Sequence, residues 1–377
     1  VHTEDDDWLD DLLEGLDDDA RASRRRLIDR LLHDGVPQQT IRDAGTANTL
    51  PALLAAQVLG GHAKYTAEDI ARMTDMSLDF VLAVRRASGL PLRDIDEVAY
   101  YDQDLEAMQD VKRLRDAGLA DDRLLDVIRV LGRGLSHTAE SMRQLSLELI
   151  LEPGDDEEQV AMRWAAVAEI LMPIAGYSVE RLLLLHLRDI FSTEALLPDD
   201  REAGALPGSR PVAVCFADLV GFTRLGEELP AIELGAVADR LVLMTEHVVS
   251  GDVRFVKTIG DAVMLVSPSV DDLLEAAFRL VDAADAEGEN FPQLRVGIAY
   301  GAALNRHGDW FGRPVNRASR ITAIARPGTV LATESARDAS GADWRWSSLP
   351  PRRIKGVSGE MRLHRARRAD GDHGRRR

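Results

Sequence analysis

Two aspartates pose the chemical question. Asp218 lies near the end of the apolar run "VAVCFADLV", and Asp261 follows Gly260 at the tip of a hairpin read in "VRFVKTIGDAVMLV". A sheet that sets these strands side by side brings both carboxylates to one edge. Two hard oxygen donors on a rigid rim suit Mg2+ or Mn2+. After Asp218 the chain continues "LVGFT", in which Gly221 permits close backbone approach. The helix expected next offers the N–H groups of its first residues, Phe222 and Thr223, to a phosphate. Farther on, "RPVNRASRITAIA" sets Asn316 and Arg320 four residues apart on one helix face, and Pro314 fits the first helical turn. Taken singly, each residue has a plainer role: either aspartate as a surface residue at a strand end, Arg317 and Arg320 as solvating charge.

The elements that must position these residues follow from texture. From 211 to 367, short β-rich runs (the two above and "LRVGIAYGAAL") alternate with the helical runs "AIELGAVADRLVLMTEHVVSG", "SVDDLLEAAFRLVDAADAEG" and "RPVNRASRITAIA". That alternation predicts an α/β domain with helices packed on a sheet. Residues 192–210 mix proline, glycine and charge without periodicity and read as a linker. Residues 1–191 read as an all-α domain, because apolar positions recur every three or four residues in "DARASRRRLIDRLLHDG", "LEAMQDVKRLRDAG", "DDRLLDVIRVLGRG" and "EEQVAMRWAAVAEILM". The closing "RARRADGDHGRRR" is basic, and 368–377 are expected to form a disordered tail.

Composition narrows the partners. The chain has 377 residues, 45% of them hydrophobic, enough to fill two cores. Net charge is −18, unevenly spread: residues 1–200 carry 41 acidic and 21 basic side chains. The first half is therefore a poor partner for nucleic acid, while the near-neutral second half can host an anionic ligand. The sole cysteine, Cys215, excludes an intrachain disulfide and points to a reducing compartment. The acidic start "EDDDWLDDLLEGLDDD" is the opposite of a signal peptide's basic region. No apolar run approaches the ~20 residues that cross a bilayer; "RLLLLHLRDIF" is broken by Arg181, His186, Arg188 and Asp189. A cytoplasmic protein without a membrane segment is expected.

Three segments in this order, "FADLVGFT", "KTIGDAVM" and "GDWFGRPVNRASR", with a later "RRIKGV", resemble the catalytic domain of the class III adenylyl cyclases. The arrangement is similar to mycobacterial members that join an N-terminal helical regulatory region to one catalytic domain. The resemblance implies a ferredoxin-like βαββαβ core and conversion of ATP to cyclic AMP. It implies two Mg2+ or Mn2+ ions held by Asp218 and Asp261, one lowering the pKa of the ribose 3′-hydroxyl and the other clamping the triphosphate. It also implies that Asn316 orients the ribose, that Arg320 neutralises charge on the α-phosphate, and that Lys355 grips the terminal phosphates. Lys257 and Asp309 fall at the base-selecting positions. Lysine can only donate and aspartate only accept, which matches adenine's N1 and exocyclic amine and opposes guanine. Without the resemblance, Lys257 reads as solubilising charge on a hairpin. The family's sites form between two catalytic domains, so a homodimer with two composite sites is implied. The rival reading from a different class, a degenerate module that only senses ATP, is opposed by the presence of all six matched positions.

The first half matches none of these motifs. In this family such regions set the relative position of the catalytic domains, so regulation, foremost autoinhibition, is expected. His33, His62, His137 and His186 leave a proton open as the stimulus, and a small apolar ligand between helices is equally open. "YTAEDIARMTDMSLDFVLAVRRASG" (65–89) resembles a helix-turn-helix with Arg85 and Arg86 on its second helix. A DNA-binding regulator is the alternative, opposed by the surrounding negative charge.

Overall fold

Helix follows helix from Asp7 to Thr193 in the computed structural model, which describes residues 7–193, 208–356 and 359–369. They are α1 (Asp7–Leu13), α2 (Asp18–His33), α3 (Gln38–Thr46), α4 (Leu50–Gly60), α5 (Ala67–Thr74), α6 (Leu78–Ala87), α7 (Asp102–Asp116), α8 (Asp121–Ile150) and α9 (Glu157–Thr193). Local chemistry sets their starts: Asp17 accepts from the Ala20 N–H ahead of α2, and Thr66 with Asp69 forms a reciprocal capping box at α5. The first four helices close around Leu27, Ile28, Leu31, Ile41 and Leu50. A second cluster joins α5, α6 and α7 through Ile70, Val81 and Val111.

The helix-turn-helix shape is present in α5 and α6, with Asp75 in the left-handed conformation between them. Its chemistry is not that of a DNA reader. Arg85 turns inward, donates to Asp104 at 2.9 Å and lies over the Tyr100 ring, leaving its side chain 11% exposed. Arg86 donates to the Leu82 carbonyl of its own helix.

The expectation about apolar runs needs correction at α9. Glu157–Ser192 is long and apolar enough, by length and composition, to cross a membrane. The helix continues through Pro173, and the charges read as interruptions, Arg181 to Asp189, fall near its end. From Trp164 to Val179 the only charge is Glu169. Ile170, Ile174, Leu182, Leu184 and Phe191 on this helix are exposed.

The chain divides into two units, Val1–Ala195 and Leu196–Arg377. The second comprises β1 (Arg210–Leu219), α10 (Phe222–Glu228), α11 (Ala231–Val248), β2 (Arg254–Ile259), β3 (Ala262–Ser267), α12 (Val270–Ala286), β4 (Leu294–Arg306), β5 (Asp309–Gly312), α13 (Arg313–Thr322), β6 (Thr329–Thr333), α14 (Glu334–Asp338), β7 (Trp344–Ser348), β8 (Arg352–Arg353), β9 (Glu360–Met361) and β10 (Leu363–Arg368). β1 pairs antiparallel with both β3 and β4, and β2 pairs outside β3. The order β2-β3-β1-β4 is the ferredoxin-like βαββαβ core. β1 is apolar from Val212 to Ala217 because both of its faces are covered there. Val212, Val214 and Phe216 pack with Met264, Ala299 and Ala318. Ala213, Cys215 and Ala217 pack on the other side with Leu265, Leu273 and Leu280. Cys215 is fully buried, which pushes its thiol pKa up.

Beyond this core the sheet continues through β6, parallel to β4, then β10 and β7, while β5 folds back on the end of β4. β10 corrects the basic "RARRADGDHGRRR" as a disordered segment, since Arg365–Arg368 form a strand. Leu363 and Ala366 are buried there. Arg368 pairs with Glu275 and Asp282 and lies over the Phe278 ring. The rest of that tail, like most of the linker, lies outside the described residues.

Candidate active site

The sheet register decides what surrounds Asp218. On β1 it stands opposite Ala262 of β3 on one side and Arg295 of β4 on the other. The turn that carries Asp261 is fastened beside it, because the Leu219 N–H donates to the Asp261 carbonyl at 3.1 Å. Gly260 allows that turn with φ +61°, a conformation other residues rarely take. The two carboxyl groups are neighbours. Burial pushes the Asp218 pKa up, Arg295 pulls it back, and the proximity of Asp261 raises it further. Arg295 Nε and Nη2 both donate to Asp218 Oδ2, at 2.8 and 2.5 Å.

A second pair forms from residues 52 positions apart. Lys257 on β2 and Asp309 at the start of β5 are joined by an ion pair, and Asp309 Oδ1 also accepts from the Trp310 N–H at 2.8 Å. A register irregularity between Phe255 and Lys257 interrupts the ladder just before the lysine. Both side chains stay partly exposed, at 38% and 32%.

The third group rides on α13. This helix lies directly on the sheet at Gly297, where a Cβ would stand 2.5 Å from the Thr322 nitrogen and 2.6 Å from the Ala318 oxygen. Thr322 Oγ1 lies 2.8 Å from the Ala318 carbonyl and 3.2 Å from that of Phe216, tying the helix to β1. Asn316 and Arg320 are exposed. The turn holding Lys355 sits against Arg320: Gly356 has φ +78°, and a Cβ on it would meet the guanidinium carbon at 2.6 Å. Gly221 is left-handed with φ +79° and leads into α10, only seven residues long, which begins with Phe222 and Thr223.

Among the described residues no group of three or more His, Cys, Asp or Glu side chains could cage a metal. Two carboxylates are what a Mg2+ site with substrate phosphates needs, since that ion keeps waters and takes its other oxygens from the nucleotide. The donor set therefore fits. Arg295 and Gly297 escaped the sequence analysis. The available signal was a lone charge in the strand run "LRVGIAYGAAL".

A family model described as an adenylate cyclase regulatory domain matches residues 5–191, and one described as an adenylate and guanylate cyclase catalytic domain matches 206–364. A pH-sensitive adenylate cyclase of Mycobacterium tuberculosis (strain CDC 1551 / Oshkosh) is 43% identical, covering 98% of this chain and 94% of the relative. The chain belongs to the class III adenylyl cyclases. This cyclase is also 32% identical to an adenylate cyclase of Streptomyces griseus, over 76% of its own length and 71% of the relative. Among solved structures, an adenylyl cyclase from P. aeruginosa shares 20% identity at a TM-score of 0.38, covering 44% of this chain and 98% of that one.

Proposed function

We propose that the protein converts ATP to 3′,5′-cyclic AMP and pyrophosphate at two composite sites of a homodimer. The observation that carries this is the juxtaposition of the Asp218 and Asp261 carboxyl groups at one sheet edge, within a domain of cyclase class. Asp218 and Asp261 would hold two Mg2+ or Mn2+ ions, which when bound supply Lewis acidity toward the ribose hydroxyl and the triphosphate.

The chain's own side chains do the rest. Lys257 donates to adenine N1 and Asp309 accepts from the exocyclic amine; their mutual ion pair keeps both heads in place until a purine edge takes over those bonds. Guanine would leave both mismatched, at a cost of about 1–3 kcal/mol each. Asn316 orients the ribose, and Arg320 meets charge on the α-phosphate with a planar, permanently charged fork. Lys355 holds the terminal phosphates, with the backbone from Gly221 through Phe222 to Thr223 lining their approach. The carboxylates come from one chain and the base-selecting and transition-state residues from its partner, so a monomer is inactive.

Residues 1–191 are assigned the regulatory role, supported by the family model that matches them. The name of the 43% identical relative favours a proton as stimulus. A cavity of about 340 Å3 in the helical unit, lined by Ala55, Leu59, Met142, Trp164 and Leu171, keeps a small apolar ligand in play. We place the reaction in the cytoplasm, where ATP is available.

The test is cyclic AMP formation by purified full-length protein with ATP and Mn2+ across pH, beside Asp261→Ala and a chain lacking residues 1–200. Lewis-acid stabilisation is worth several kcal/mol, so Asp261→Ala should lose activity about 100-fold or more. Equal activity in that variant refutes the assignment, and unchanged kinetics on truncation refute regulation by the helices.

A further inference from the structure

We propose that Val256 is a positioning residue for base selection: as the extra residue of a β-bulge in β2, it turns Lys257 onto the sheet face that carries Trp310 and sets the angle at which the ammonium meets the purine. The inference rests on the proposed base-selecting role of Lys257 and Asp309. Side chains directly opposite each other in an antiparallel pair share a face of the sheet. Phe255 stands opposite Leu265 and Lys257 opposite Met264, so β2 advances two residues while β3 advances one, and Val256 is left without an opposite. Leu265 belongs to the core formed with α11 and α12, and Phe255 packs on it. Met264 belongs to the core on the other face, which includes Ala318 of α13, and Val256 and Trp310 pack there. Val256 and Lys257, consecutive in the chain, therefore project from one face, which the alternation of a regular strand does not allow. In an unbroken ladder Lys257, two residues after Phe255, would share the face of Phe255 and stand across the sheet from Trp310.

Asp309 is fixed by other means. Its Oδ2 accepts from Lys257 and its Oδ1 from the Trp310 N–H at 2.8 Å, so each carboxylate oxygen has a donor, and Trp310 is anchored on the same core as Val256. The lysine is the member of the pair whose aim depends on its strand. A bulge bends the strand that carries it and increases the local twist, so the long stem of Lys257 leaves β2 at an angle that a regular residue would not have. β2 lies at the edge of the sheet, and the irregularity disturbs only its ladder with β3.

Displacing a positioned group by about 1 Å can cost on the order of 100-fold. Four full-length variants would be compared with the natural sequence: deletion of Val256, the exchange Val256→Lys with Lys257→Val, Val256→Ala, and Lys257→Ala. The measurements are kcat/KM for ATP and for GTP with Mn2+, and melting temperature. Deleting Val256 restores a regular ladder and should cut the preference for ATP over GTP about tenfold or more. A merely structural role would lower both nucleotides alike and leave that ratio unmoved. The exchange keeps chain length but shifts the ammonium by one residue, ~3.3 Å along the strand, and should lose the preference as well. Val256→Ala retains the extra residue and should keep most of the preference. An unchanged ratio in the folded deletion variant overturns the inference. A loss in Val256→Ala as large as that on deletion also overturns it, assigning the effect to packing. Should the deletion variant not fold, the exchange decides alone, and a wild-type ratio in it refutes the proposal. Lys257→Ala separates the two levels. If it keeps the preference for ATP, the base-selecting assignment itself fails; if it loses the preference while the deletion variant keeps it, only the role of Val256 fails.

Discussion

His364 gives the catalytic unit a pH dependence separate from nucleotide chemistry. It is 1% exposed on β10, with Ser348 Oγ 3.1 Å from Nδ1, Arg337 Nη1 3.2 Å from Nε2, and the Trp346 ring edge-on at 6.4 Å. Burial first, then Arg337 and Arg362, hold its pKa below the ordinary histidine value, while Glu334 and Asp338 pull the other way. The unfolded chain therefore binds this proton at a pH where the folded one does not. Stability from this site is complete above about pH 6.5 and is lost as pH falls toward the depressed value. Calorimetry of the full chain should show the catalytic transition moving down between about pH 7.5 and 5.5, and less so in His364→Asn; equal shifts in both would assign the effect elsewhere. At this scale the sequence is a good guide to residue type and a poor one to partnership. Asp218 and Asp261 stood out because one carboxylate closes an apolar run and the other tips a hairpin, whereas Lys257 and Asp309 were picked out through the family resemblance. Arg295 did not stand out, because its pairing with a residue 77 positions away depends on strand register that no local pattern reveals.

Helix α13 and strand β4 meet at a point with no room for a methyl group. Substituting Gly297 by Ala would set a Cβ against the Thr322 nitrogen and Ala318 oxygen, both backbone, so the helix must shift. A cost of about 1–3 kcal/mol is expected. A larger proportional loss of turnover should accompany it, because Asn316 and Arg320 move with the helix. Gly235 in α11 is the control. A Cβ there meets nothing within 4 Å, and Ala should raise the urea midpoint slightly. Urea titration and turnover on both variants check the pair; normal kcat in Gly297→Ala would mean the helix tolerates displacement. The βαββαβ elements were legible because continuous apolar runs mark strands covered on both faces. The outer strands were not. "LHRARR" has the composition of a charged tail, and only its neighbours β6 and β7 make it a strand.

Two units with separate cores share this chain, one helical and one built on a mixed sheet. The carboxylates and the residues of α13 occur once per chain, so a pocket drawing one set from each of two subunits implies complementation. Asp218→Ala and Arg320→Ala proteins should each be inactive. A mixture that exchanges subunits should regain about a quarter of normal activity, since half the dimers are mixed and each has one whole pocket. No regain on mixing would refute composite sites. The helical character of the first unit was plain from its periodicity, whereas the regulatory role proposed for it could not be read from helices that carry no reactive constellation. The lone thiol has a practical corollary. With Cys215 sealed inside β1, a maleimide applied to the folded protein has nothing native to modify, so one cysteine introduced on an exposed helix gives a unique attachment point for a fluorophore or spin label. Distances between such labels across two subunits can then be followed as the stimulus changes, without first stripping the chain of its own sulfur.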